Sequence, residues 1–323
     1  MTIQLLGISN AIVDVLAHVD ADFLEKIGAP PGSMTLVDEQ RAREIYEMMG
    51  PATEMSGGSV ANAVAGFANL GGRAAYIGKV RNDQLGDIFN HDMRSLGVDV
   101  RLPPADDGAP TARSHILITP DGQRTMQTYL GACTELGVAD VTAESVGTPE
   151  IALLEGYVWD IAEGPALALT AAEFVRIAGG RIALSLSDSF CVERHRDEFM
   201  HFVRDHADIV FADEDEIVAL LQVDSFDGVP GRVAGMRPLF VMTRSEKGSV
   251  IVHGDEKVIQ ESLPVEQLVD TTGAGDAYTA GFLYAYANGE DLAESARTGT
   301  LCATRVIQQV GARIEKDALD DAV

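Results

Sequence analysis

Residues 269–286, VDTTGAGDAYTAGFLYAY, decide how the chain is to be read. Gly273 and Gly275 flank Ala274 directly before an apolar run of helical character. Small residues there let successive backbone N–H groups point into one concavity. The positive end of the following helix adds to the field, so the turn is a natural anion site. Asp276, at the start of the helix, has two readings. It is a favourable helix cap, or it is a general base for a hydroxyl whose oxygen attacks phosphorus held by the same turn. Other phosphate motifs are absent from the sequence: no GxxxxGK[ST], no GxGxxG after the first strand, and no protein-kinase pair of HRDLxxxN and DFG signatures.

Short apolar runs on either side of this segment predict strands at 3–8, 74–80, 151–159, 181–187, 207–212 and 239–245. They are apolar almost throughout, as in a parallel sheet covered on both faces. Helix-period stretches lie between them at 59–70, 84–96, 164–179, 192–206, 214–222, 276–287 and 291–309. Gly71, Gly97, Gly179 and Gly289 follow four of these helices as left-handed caps. The alternation predicts an α/β fold, a doubly wound and mostly parallel sheet flanked by helices, with ligands beyond the carboxyl ends of the strands. Segments 13–20, 34–38, 112–119 and 124–130 have a period nearer two, with a PDG turn at 120–122. These predict a small antiparallel β lid built from about 12–40 and 110–131 on a single domain spanning 1–323.

The N-terminal half adds three candidates. SGGSVANAVAGFANLGG (56–72) joins a Gly-Gly turn to a helix with Asn62 in its first turn. Gly57 and Gly58 admit close backbone approach to a polyol, though a plain helix entry capped by Ser56 or Ser59 also accounts for the segment. In GISNAIVDVLAHVD (7–20), Asp14 follows the first strand, where a carboxylate can accept two hydrogen bonds from vicinal hydroxyls. A solvated Asp is the alternative. Arg124 follows the PDG turn, either solvated or brought by the lid to a transferring phosphoryl group.

The composition is an ordinary globular balance. The 323 residues are 46% hydrophobic, with 24 Lys plus Arg against 50 Asp plus Glu, a net charge of −26. Such a surface repels nucleic acid and anionic membranes. The three scattered cysteines give no metal-ligand spacing and suit a reducing cytoplasm. The longest apolar stretch, 277–287, falls short of the roughly 20 residues needed to cross a bilayer. Expected partners are therefore small molecules and the expected compartment is the cytoplasm, with monomer and homodimer both open.

Taken together, DTTGAGDAYTAGF (270–282) and GGSVANAVAGFANLG (57–71), in this order and separation, resemble the ribokinase-like (PfkB-type) carbohydrate and nucleoside kinases. The resemblance covers nearly the whole chain. The N-terminal GISNAIVDVLAHVD and the lid segment DGQRTMQTYLGAC look most like the adenosine kinase subgroup. It implies a phosphotransferase that uses ATP and Mg²⁺ and acts on a primary hydroxyl, most simply the 5′-OH of adenosine, with a sugar such as ribose or fructose as the alternative acceptor. A ligand-binding member without catalysis is a minor alternative.

Carried over residue by residue, the resemblance makes Asp276 the catalytic base and Gly273, Ala274 and Gly275 the anion hole. Arg124 becomes the phosphate-contacting lid arginine. Asn10, Asp14, Gly57, Gly58 and Asn62 form the sugar site. Asp213, Glu216, Thr243, Gly248 and Thr272, with Gly273 and Gly275, face the nucleotide, and Glu216 reaches the metal through water. Leu36, Tyr129, Leu130 and Phe190 are candidates to enclose a purine. Two positions depart from the family pattern. Asp213 stands where the family's Asn-x-x-Glu has its amide, and Ser245 stands for the middle glycine of Thr-x-Gly-x-x-Gly.

Overall fold

In the computed structural model, which describes residues 2–316, the doubly apolar runs become the central strands of a nine-stranded sheet. Its members, numbered along the chain, are β1 (Ile3–Ile8), β5 (Ala74–Ile77), β6 (Asp99–Val100), β9 (Pro149–Glu155), β10 (Arg181–Ser185), β11 (Ile209–Asp213), β12 (Leu239–Thr243), β13 (Ser249–His253) and β14 (Glu256–Gln260). The order is β14-β13-β12-β11-β10-β9-β1-β5-β6. The seven strands from β12 to β6 run parallel, and β13 and β14 extend the edge antiparallel.

The helices are α1 (Ala21–Lys26), α2 (Glu39–Met48), α3 (Ser59–Asn69), α4 (Gln84–Ser95), α5 (Ala143–Val146), α6 (Gly164–Ile177), α7 (Ser189–Asp205), α8 (Glu214–Leu221), α9 (Val229–Val233), α10 (Ala274–Ala287) and α11 (Leu292–Val306). Alternate residues of each strand feed opposite cores. Leu5, Ile151 and Leu153 pack with Val64, Phe67 and Phe282 of α3 and α10. Leu6, Leu154 and Val210 pack with Leu167, Phe199 and Leu220 of α6, α7 and α8. Among the described residues no helix is long and apolar enough to cross a membrane.

A second, five-stranded sheet comprises β2 (Ile12–His18), β3 (Met34–Leu36), β4 (Thr53–Gly57), β7 (Ala112–Ile118) and β8 (Arg124–Tyr129), in the order β3-β8-β7-β2-β4. The β7–β8 hairpin around the PDG turn and the β2–β4 pair are antiparallel. The β2–β7 and β3–β8 pairs run parallel. The sheet is therefore mixed, because the segments that pair in parallel are far apart in sequence and enter from the same end.

Local differences from the sequence reading have simple causes. Strand β9 stops at Glu155, and residues 156–160 form a 3₁₀ turn whose apolar side chains still face the core. Strand β4, in the polar-looking TEMSG, is held by pairing to β2 and was not anticipated. Nor was the β13–β14 hairpin, whose outer strand is mostly exposed. The four expected cap glycines, 71, 97, 179 and 289, all have positive φ.

Candidate active site

The carboxyl ends of β1, β9, β10, β11 and β12 open toward one cleft, and the small sheet stands over it through β2. Helix α10 points its N-terminus there. Its N-cap is Gly273 in the left-handed region (φ 75°), where a Cβ would also lie 2.5 Å from that of Ala312. Only glycine suits both conditions. The Ala274 N–H donates to the Thr271 carbonyl at 3.2 Å. The first-turn amides that follow have no acceptor within the helix. A Cβ on Gly275 would meet nothing within 4 Å, so this side of the turn is open.

Asp276 is the third residue of α10 and not its cap. Its carboxylate turns to α3, accepting from Ser59 Oγ at 2.7 Å (Oδ1) and Asn62 Nδ2 at 3.1 Å (Oδ2). Burial pushes its pKa up to about 6, against the pull of those two donors and of the Arg313 guanidinium. The capping role thus passes to Gly273, which frees the carboxylate for the cleft.

Asp14, on β2, lies opposite Met55 of β4. Its carboxylate occupies the space that a Cβ on Gly57 would fill. Next to it Gly58 (φ 95°) begins α3, where a Cβ would come within 2.6 Å of the Asn10 carbonyl oxygen. Neither Ser56 nor Ser59 caps the helix, because Gly58 holds that position. Burial raises Asp14 to about 7; Arg313 and Arg124 oppose the rise and the charge of Asp276 adds to it. Asn10 is buried, and its Oδ1 has no hydrogen-bond partner, an acceptor left for a ligand donor.

Two charged residues here escaped the sequence reading. Glu155, at the end of β9, is 1% exposed and accepts from the Val60 N–H at 3.3 Å; burial raises it to about 8. Its signal was a lone acid ending an apolar run. Arg313, beyond α11, lies outside every motif. It donates to Asn62 Oδ1 at 3.3 Å and the Ser56 carbonyl at 2.7 Å.

Arg124 is neither solvated nor free. It forms an ion pair with Asp270, the first residue of DTTGAGD, with side chains 10% and 5% exposed. Asp270 also accepts from the N–H groups of Thr272 (3.0 Å) and Gly311 (3.1 Å). The β7–β8 hairpin is thereby tied to the loop that carries the 273–275 glycine turn.

On the far wall, Asp213 and Glu216 form a reciprocal cap on α8: Glu216 N–H to Asp213 Oδ1 at 2.7 Å, and Asp213 N–H to Glu216 Oε2 at 2.9 Å. The acid at 213 thus accepts the bond an amide oxygen would. Burial and the neighbouring Asp213 push Glu216 up to about 8. A cavity of about 210 Å³ runs from Ser59, Gly275 and Asp276 to Asp213, Glu216 and Thr243. Gly248 lies beyond it (φ 80°), where a side chain would strike the 260–262 backbone. Ser245 keeps a left-handed backbone (φ 50°) despite its side chain.

A second cavity, also about 210 Å³, brings together Leu36, Tyr129 and Leu130 with Thr128 and Gly131. Phe190 does not line it and is 71% exposed at the start of α7. The small sheet thus gathers three of the four proposed purine contacts, and the fourth lies elsewhere.

A cleft holding an ionisable carboxylate beside an open helix N-terminus, faced by a buried acidic wall, is suited to deprotonating an alcohol next to bound phosphate. Comparison with known proteins gives the family. The family description "pfkB family carbohydrate kinase" matches residues 36–319. The crystal structure of adenosine kinase from Sinorhizobium meliloti superposes with a TM-score of 0.92 at 46% identity, covering 100% of both chains. A probable sugar kinase from Rhizobium etli CFN 42 gives 0.92 at 43% identity, over 100% of this chain and 99% of that one. A nucleoside kinase of Methanothermobacter thermautotrophicus is 26% identical over 328 residues, 99% of this chain and 94% of its own length. With that match over most of its length, the chain belongs to the pfkB family of carbohydrate kinases and is a phosphotransferase.

Proposed function

We propose that the protein transfers the γ-phosphoryl group of ATP to the 5′-OH of a nucleoside, adenosine being the preferred acceptor. The observation that carries this reading is the placement of the Asp276 carboxylate, held from α3 by Ser59 and Asn62 at the mouth of the 273–275 turn. A base must lie within hydrogen-bond reach of the proton it removes, and the turn places phosphorus next to it. Asp14 accepts from the ribose hydroxyls and Asn10 Oδ1 takes a further donor. Asn62 braces the base. The cavity of Leu36, Tyr129 and Leu130 takes the purine, which a simple sugar would leave empty.

In the forward step the acceptor O–H gives its proton to Asp276 as its oxygen bonds to the γ-phosphorus. The bond to the bridging oxygen of ADP breaks. The 273–275 amides and Arg124, released from Asp270, offset charge on the transferring oxygens, and Thr272, Thr243 and Gly248 border the nucleotide. Glu216 and Asp213 suit Mg²⁺ held through water: Glu216 is buried, commits Oε2 to the Asp213 N–H and lines the cleft. Mg²⁺ supplies charge neutralisation at the phosphates when bound. The small sheet serves as a lid on one kinase domain, closing to exclude water. The enzyme works in the cytoplasm as a monomer or homodimer.

ADP release, measured against a panel of nucleosides and sugars with an ATP-only blank, tests the reading. Turnover with adenosine is the expected result. Turnover with sugars alone would move the acceptor to ribose, fructose or a related polyol.

A further inference from the structure

Asp276 is braced by Asn62, and Asn62 is itself held. The two polar ends of its carboxamide face opposite partners: Nδ2 donates to Asp276 Oδ2 at 3.1 Å, while Oδ1 accepts from Arg313 Nε at 3.3 Å. A guanidinium can only donate and an ionised carboxylate can only accept, so the amide has one orientation. The guanidinium is fixed in turn, with its terminal nitrogen on the Ser56 carbonyl at 2.7 Å and 3.7 Å from Met93 Sδ.

The backbone that delivers Arg313 is anchored residue by residue. Gly311 N–H donates to Asp270, and Ala312 packs on Gly273. The Arg313 carbonyl accepts from Gln309, and the Ile314 carbonyl accepts from Asn69 of α3 at 2.7 Å. Residues 311–314 therefore join the anion turn to the helix that bears Asn62.

We propose that Arg313 is a positioning residue: it locks the Asn62 carboxamide and through it aims the Asp276 carboxylate at the acceptor hydroxyl. The inference rests on the reading of Asp276 as the base. Its charge has a second effect. The groups facing this site are Asp14 from β2, Asp92 from α4, Tyr76 from β5, Glu155 from β9 and Arg124 from β8. Arg313 holds down the proton affinity of both Asp14 and Asp276, which burial would otherwise raise further.

Lys and Gln at position 313 separate the two effects. Arg313→Lys keeps the charge but loses the planar fork. It should lower kcat about ten- to hundredfold while the nucleoside KM moves less than about threefold. The acid limb of the kcat–pH profile should stay in place. Arg313→Gln should lower kcat likewise and also move that limb to higher pH. Because Arg313 acts through Asn62, adding Arg313→Lys to Asn62→Ala should cost little more than Asn62→Ala alone.

Wild-type kcat in Arg313→Lys, or a full additional loss in the double variant, would overturn the proposal and leave the base assignment standing. Should the Gln variant not fold, the Lys pair of measurements decides the matter. If the wild type phosphorylated neither nucleosides nor sugars, the base assignment would fail instead. Carboxyl titration of the ligand-free protein by ¹³C NMR would then judge the electrostatic part, with Asp276 expected to titrate higher in Arg313→Gln.

Discussion

Asn62 and Asp276, 214 residues apart, are joined by a 3.1 Å hydrogen bond between the first turns of α3 and α10. Each helix begins at a glycine with positive φ, Gly58 and Gly273, so the two glycine-rich segments face each other across the cleft. That bond converts two local motifs into one site, and most of the expected behaviour follows from it.

Asp276→Asn keeps the shape and the first-turn position but removes the proton acceptor. The expected result is a fall in kcat of about 10²–10⁴-fold, with adenosine binding retained. Steady-state kinetics beside calorimetric binding would check it; wild-type turnover would remove Asp276 from the chemistry.

Asp14→Asn should act mainly on affinity, raising the nucleoside KM by about 10–100-fold, as for loss of a charged hydrogen bond of roughly 1.5–3 kcal/mol. Gly57→Ala should reproduce this while leaving the carboxylate in the chain, because the added methyl would take the space of the Asp14 side chain and displace it. Parallel KM changes in the two variants are the signature; an unchanged KM in both would place the ribose elsewhere.

Stability of the ligand-free protein should depend on pH in an unusual direction. Burial raises Asp276 to about 6, Asp14 to about 7, and Glu155 and Glu216 to about 8. Between about pH 4 and those values the folded state holds protons that the unfolded chain has released. Unfolding then releases protons, and stability falls as pH rises through the window. Melting at pH 5.5 should therefore occur above melting at pH 8, by on the order of 5 °C. Calorimetry across that range checks it, and a flat or opposite trend would contradict the buried-acid picture.

Ser245→Gly relieves a non-glycine residue at φ 50° and should stabilise the fold by about 1 kcal/mol. Chemical denaturation of the two proteins gives the comparison. Because the backbone already holds a left-handed shape that glycine adopts freely, the KM for ATP should change little.

The glycine turns, the strand–helix alternation and the β7–β8 hairpin were legible because each is a local matter: spacing, turn chemistry and periodicity lie within a few residues. Asp276 and Asn62 stood out because they follow close behind glycines that mark close approach, and Asp14 because it follows the first strand. What escaped is non-local. Strand β4 exists because β2 pairs with it, and the parallel β2–β7 and β3–β8 pairs join distant segments.

The sequence by itself determined the family, since a glycine-flanked turn with an acid behind it needs only contiguous residues, whereas the place of Asp276 as third residue of its helix came from the fold. Tertiary structure alone decided which donors hold that acid and where the charges balance. Arg313 arrives 251 residues after the Asn62 it orients, Glu155 becomes a buried carboxyl only when α3 lies over β9, and Arg124 finds Asp270 only when the small sheet closes on the large one. Hydrogen bonds and desolvation depend on distance in space, and no pattern along the chain encodes that for residues so far apart.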